Sequence, residues 1–341
     1  MTLPILQFLW YLVIAASVVF YTMLDGFDLG VGILHLFAKK DSDRRIFLNA
    51  IGPVWDGNEV WLVVIVGALF AGFPEVYATV MTAFYTMTML FLVGIIFRAV
   101  AIEFRSKQAS LRWRRCWDIS FCFASIIITF LLGVMLGNLI EGIPLNSDKE
   151  FIGEFSDLFS LYTLVIGVFA LSLFAMHGCI YLIMKTTDEL QAQLRKWVKP
   201  LIIFFFFTYV ISTSMTFWKH PYMIERIKEY PIALLLPLVT LFGIFSIPRY
   251  TAQQREGRAF IVSCLTIASL FTLFGIGSYP LLLRSSIDPM TNSLTIVDSS
   301  SAYTLRILLL IALIGIPLVF AYGIYVYHIF KGKVKITDVS Y

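Results

Sequence analysis

Two short stretches place acids where acids are rare. "LDGFDLGVG" carries Asp25 and Asp28, and "WDGNEVW", from Trp55 to Trp61, carries Asp56 and Glu59. Each pair is spaced i, i+3, which puts both carboxyls on one face of a helix. "FRAVAIEFRSK" adds Arg98 and Glu103. A carboxyl in apolar surroundings can take up and release a proton. An arginine stays charged at any ordinary pH, so it organises such acids and does not relay protons itself. Metal or haem chemistry has little to stand on. Of His35, His177, His220 and His328, only His177, in "LFAMHGCIYLIMKT", falls deep in an apolar run. A haem-carrying bundle needs facing ligands at matched depth, so His177 reads as a hydrogen-bonded core residue. Cys116, Cys122, Cys179 and Cys264 show no CxxC spacing and read as small core residues. No metal site is expected. No phosphate loop or nucleic-acid signature appears.

The elements that must position these residues are membrane spans. The chain has 341 residues, 59% hydrophobic and 14% charged. That composition excludes an ordinary soluble domain and points to an all-α polytopic membrane protein. Nine apolar segments can be traced, at about 5–38, 46–73, 76–104, 113–140, 158–185, 198–218, 231–247, 258–284 and 304–330. The first lacks a basic leader and a small-residue cleavage site, so it is expected to remain as a span. "TTDELQAQLRKWVKP" reads as a short amphipathic surface helix. No piece is long enough for a separate soluble domain, and no internal repeat is evident. Of the 26 basic residues, 19 follow the first, third, fifth, seventh and ninth segments. Cytoplasmic loops carry Lys and Arg, so the N-terminus is expected outside and the C-terminus in the cytoplasm.

At 1.5 Å per helical residue, Asp28 and Asp56 lie roughly 15 Å from the basic end and Asp25 and Glu59 roughly 20 Å. Arg98 lies roughly 10 Å in, and Glu103 near the surface. An unpaired intramembrane charge costs at least ~2.5–3.5 kcal/mol, so these groups must face protein or water. Two readings are open. In one, the acids form a polar knot between helices, with Arg98 paired to Asp28 or Asp56. In the other, the surplus acids form a proton wire that needs a consumer elsewhere.

The stretches "DGFDLGVG", "RRIFLNAIGPVWDGNEVWLV", "FRAVAIEFRSK", "RWRRCWD", "GNLIEGIP" and "HGCIYLIMKT" together resemble subunit II of cytochrome bd-type quinol oxidases, as does "YPLLLRSSIDPMTNSLTIVDSSS". The resemblance spans nearly the whole chain. It implies two four-helix bundles, about 1–140 and 158–284, with a peripheral helix at 304–330. It implies an oxidoreductase complex in which quinol is oxidised and dioxygen reduced to water, with protons drawn from the cytoplasm and without pumping. The partner is subunit I, which would carry haems b and d; this chain would ligate none. Small accessory membrane subunits belong to the same picture, and some relatives hold a structural quinone in subunit II. The expected location is the bacterial inner membrane. By motif match, Asp28, Asp56, Arg98 and Glu103 would belong to a proton path toward the haems, with Asp25 and Glu59 beside it. No catalytic residue is expected in this chain. Some family members have His before the WDGN tryptophan and Gln at the position of Glu59, where this chain has Val54 and Glu59.

A secondary transporter is the alternative from another class, because Gly57 between Asp56 and Asn58 can mark a broken helix at a substrate site. A purely structural subunit is the third reading. It differs from the proton path in expecting that neutralised acids lower assembly and not turnover.

Overall fold

A computed structural model describes residues 1–336. Among them, nine helices are long and apolar enough to cross a membrane. The chain is an all-α polytopic membrane protein. The helices are α1 (Leu3–Leu34), α2 (Asp41–Ile51), α3 (Trp55–Gly72), α4 (Pro74–Ala83), α5 (Tyr85–Phe104) and α6 (Leu111–Glu141). They continue as α7 (Leu161–Lys185), α8 (Asp188–Lys219), α9 (Pro221–Glu229), α10 (Leu235–Ala252), α11 (Glu256–Ser278) and α12 (Ala302–Ile329). A small hairpin, β1 (Leu281–Leu283) with β2 (Leu294–Thr295), precedes α12.

Local chemistry sets several helix ends. Ser110, Ser160 and Ser301 accept hydrogen bonds from the backbone N–H groups of Trp113, Thr163 and Thr304, which satisfies donors a helix start leaves open. Pro74 and Pro221 open α4 and α9, where a missing N–H is harmless.

Three stretches differ from the sequence expectation. The run 46–73 is not one span. It breaks at Gly52, Pro53 and Val54 into α2 and α3, because proline supplies no N–H to the preceding turn. The run 76–104 breaks at Phe84 into α4 and α5. The segment around "TTDELQAQLRKWVKP" is no separate surface helix but the first turns of α8, which runs on through Pro200.

Helix α1 sits at the centre. It packs on α3, α6, α7 and α11, and every residue from Asp25 to His35 is buried. The glycines of "DGFDLGVG" serve this packing. A Cβ on Gly30 would lie 1.9 Å from the Phe174 carbonyl oxygen, and one on Gly178 would lie 2.4 Å from the Gly30 carbonyl carbon. The backbones of α1 and α7 therefore touch, the close approach that small residues allow between membrane helices. Helix α5 packs on α6, α8 on α7, and α10 on α11, while α12 lies along α1 and α3 with only Leu305 buried. At the end opposite the basic loops, residues 141–160 and 279–301 form a cap. Ile143 donates to the Arg284 carbonyl at 3.0 Å, and Ser300 donates to the Gly72 carbonyl at 2.9 Å.

Candidate functional site: a buried acidic cluster

The break between α2 and α3 builds the site. Helix α3 starts inside the bundle, one residue before Asp56. The Ala50 carbonyl would normally bond within a continuous helix. Here it accepts the Tyr181 hydroxyl at 2.9 Å, and the Tyr181 ring stacks on Phe27 with centroids 3.9 Å apart. Asp56 lies in the first turn of α3, where the helix dipole favours a negative group.

Arg98 reaches into this cluster from α5. Its Nη2 donates to Asp25 Oδ1 at 2.6 Å, and its Nη1 donates to Asp25 Oδ2 at 3.3 Å and to Glu59 Oε1 at 3.0 Å. Arg98 and Asp25 are fully buried. The pairing expected from depth, with Asp28 or Asp56, is therefore corrected. Arg98 stands only six residues from the end of α5, but its long stem carries the guanidinium past the level of Asp28 to the outer pair of acids. The fork matches a carboxylate in bidentate fashion, a stronger contact than a single point charge makes.

Asp28 has a different partner. Its Oδ2 accepts Asn58 Nδ2 at 2.7 Å. The same Nδ2 also donates to the Leu24 carbonyl at 3.3 Å, and Asn58 Oδ1 accepts the Tyr327 hydroxyl at 2.9 Å. Asp28 Oδ1, Arg98 Nε and the Tyr21 hydroxyl are buried without a partner among the described residues. Such buried atoms are uncommon in a folded chain. Asp56 is exposed on the flank of the chain, and Glu103 is half-buried nearer the basic end of α5. The structure thus brings Asp25, Asp28, Glu59 and Arg98 together and leaves Asp56 and Glu103 at the margins.

Sequence reasoning missed a second ionic cluster at the basic end. Asp118, buried on α6, accepts His35 Nε2 at 2.6 Å, Arg105 Nε at 2.5 Å and Arg44 Nη1 at 3.1 Å. Arg105 Nη2 also donates to Asp41 Oδ1 at 2.6 Å, and Arg114 donates to Asp41 Oδ2 at 2.9 Å. This ties the ends of α1 and α5 to the starts of α2 and α6. One signal was available: His35 follows Asp28 by seven residues, two helical turns on, in the turn that ends α1.

The histidines offer little to a cofactor. His177 Nε2 donates to the Met23 carbonyl at 2.9 Å, and Nδ1 meets Ser263 Oγ at 2.8 Å. Both ring nitrogens are occupied, and the ring stacks on Phe260. His328 is exposed on α12. His220, at the end opposite the basic loops, packs on Tyr162 with centroids 4.5 Å apart. Burial, and then the charges of Arg284 and Lys219, push its pKa down to about 4. Among the described residues, no three His, Cys, Asp or Glu side chains form a metal-ligating group.

Comparison with known proteins identifies the family. The family described as cytochrome bd terminal oxidase subunit II matches residues 6–330. The chain is similar to cytochrome bd-I ubiquinol oxidase subunit 2 of Escherichia coli K12, at 31% identity over 98% of this chain and 97% of the relative. It is also similar to cytochrome bd ubiquinol oxidase subunit 2 of Bacillus subtilis, at 30% identity over 96% of each. In fold it is similar to a chain of the bd oxidase from Geobacillus thermodenitrificans, with a TM-score of 0.77, 16% identity, and 95% of this chain and 97% of that one covered.

Proposed function

The chain belongs to the cytochrome bd terminal oxidase subunit II family, and we propose from that premise that it conducts protons from the cytoplasm toward the haem site of a partner subunit I. The complex oxidises quinol at the outer face and reduces dioxygen to water. Haems b and d supply the electron transfer and sit in the partner. The occupied nitrogens of His177 support that assignment. The chain lies in the bacterial cell membrane with its N-terminus outside. The bias of 19 among 26 basic residues supports that orientation. Residues 1–140 and 158–284 form two bundles, with α12 peripheral. Small accessory subunits complete the assembly.

The observation that carries the reading is the charge count around Arg98. Two carboxyls, Asp25 and Glu59, share one guanidinium, and a third, Asp28, leans on a neutral amide. Unmatched buried charge is expensive, so exchangeable protons neutralise the surplus. Glu103 receives protons near the basic end, and Arg98 sets the potential around the acids. Asp28 holds a proton beside Asn58. Asp56, exposed on the flank of α3, hands it across to the partner. A bare carboxyl facing lipid is unfavourable, so the partner covers this flank.

The test is turnover per haem in membranes carrying Asp28→Asn or Asp56→Asn. An amide keeps the shape but cannot exchange a proton at useful pKa. Turnover should fall about tenfold or more with haem content nearly intact. Wild-type turnover in both variants would favour the structural reading. Purification without a haem-bearing partner would favour the transporter.

A further inference from the structure

We propose that Tyr327 of the peripheral helix α12 is a positioning residue for Asp28, acting through Asn58. The inference deepens the proton-path reading and rests on it. A tyrosine hydroxyl that donates to the Asn58 amide oxygen holds that end of the amide outward, in concert with the Leu24 carbonyl, which can only accept and takes Nδ2 at 3.3 Å. With Oδ1 held by Tyr327 at 2.9 Å, Nδ2 must point at Asp28 Oδ2, where it lies at 2.7 Å. Without that hold only the 3.3 Å bond to the Leu24 carbonyl keeps the amide from turning by half a revolution. That turn would present oxygen to a carboxyl, repel an ionised acid and accept from a protonated one. Tyr327 therefore biases which protonation state of Asp28 its neighbour favours.

The fold keeps Tyr327 in register by unusual means. Helix α12 buries almost nothing, so apolar packing alone does not fix its height against α3. Polar contacts do so at both ends. Trp10 Nε1 donates to the Leu305 carbonyl at 3.0 Å. Lys185 Nζ donates to the Phe330 carbonyl at 2.7 Å, three residues past Tyr327. Val334 then donates to the Lys185 carbonyl at 2.8 Å, strapping the following chain to α7. Gly57 gives the room for the approach. A Cβ there would lie 3.2 Å from the Tyr322 ring. Gly57 thus marks the contact of α3 with α12.

The experiment uses the whole purified complex and reads infrared difference bands of Asp28, identified by their loss in Asp28→Asn. Tyr327→Phe removes one oxygen and keeps the ring. It should displace the Asp28 bands, as Asn58→Ala should, whereas Tyr322→Phe should leave them in place. Turnover should fall about threefold to tenfold in Tyr327→Phe, and Tyr327→Phe should add nothing to Asp28→Asn, the non-additivity expected of groups acting as one unit. Unmoved Asp28 bands in Tyr327→Phe would overturn the proposal. So would losses that add in the double variant. If Asp28→Asn keeps wild-type turnover, the proton-path reading fails, and the infrared bands still decide the positioning claim.

Discussion

Arg98 holds Asp25 through both of its terminal nitrogens, at 2.6 and 3.3 Å, while Nη1 also reaches Glu59. One cation from α5 thus ties α1 to α3 in the interior of the bundle. Removing one partner of a buried pair is far worse than never having built it, because the remaining charges stay behind in a poor solvent.

Arg98→Leu should therefore destabilise the complex by about 3–5 kcal/mol. Arg98→Lys should be milder, since it keeps the charge and loses only the fork. Thermal unfolding of the purified complex measures both. Equal losses in the two variants would mean that the shape of the guanidinium, and not its charge, is what the site needs.

His177→Ala and, separately, His35→Ala should leave every haem band in place. The motive is that His177 is fully engaged with Met23 and Ser263, and His35 with Asp118. Losing those hydrogen bonds should lower stability by about 1–3 kcal/mol per buried group left unpaired. An absorption spectrum of the assembled variants is the check, and the disappearance of one haem signal would move a ligand into this chain.

A cysteine placed at Asp148 should react with an impermeant thiol reagent added outside intact cells, and one placed at Ser110 should not. Both belong in a Cys116→Ser background, because Cys116 is exposed. The opposite labelling pattern would reverse the chain in the membrane and the direction of proton uptake with it.

His220 gives a pH dependence. Its folded pKa is pushed down to about 4 by burial and by Arg284 and Lys219, below the usual value of about 6.5. A depressed folded pKa means that the unfolded chain binds the proton first. The stability that the neutral ring contributes is complete above about pH 6.5 and is lost as pH falls toward about 4. The melting temperature of the complex should drop between about pH 7 and about pH 4.5, and His220→Phe should shrink that drop. The same drop in both proteins would place the acid sensitivity elsewhere.

The sequence by itself determined the class and the inventory. Hydrophobic run length and the basic loops mark nine spans because the bilayer imposes those features locally, residue by residue. The spacing of Asp25 with Asp28 already put that pair on one buried helix face, whereas the same spacing left Asp56 exposed while Glu59 turned to Arg98. The motifs also reached the right family. What the sequence left open was which side chains meet. Depth along separate helices suggested Asp28 or Asp56 for Arg98, but the reach of the side chain and the rotation of α5 selected Asp25 and Glu59. Pro53 was visible, yet the helix break it makes depends on Tyr181 to satisfy the Ala50 carbonyl from another helix. The Asp118 cluster and the link from Tyr327 to Asn58 join residues 83 and 269 positions apart. Contacts at such separations follow from how helices pack around α1, and no local period in the chain encodes them.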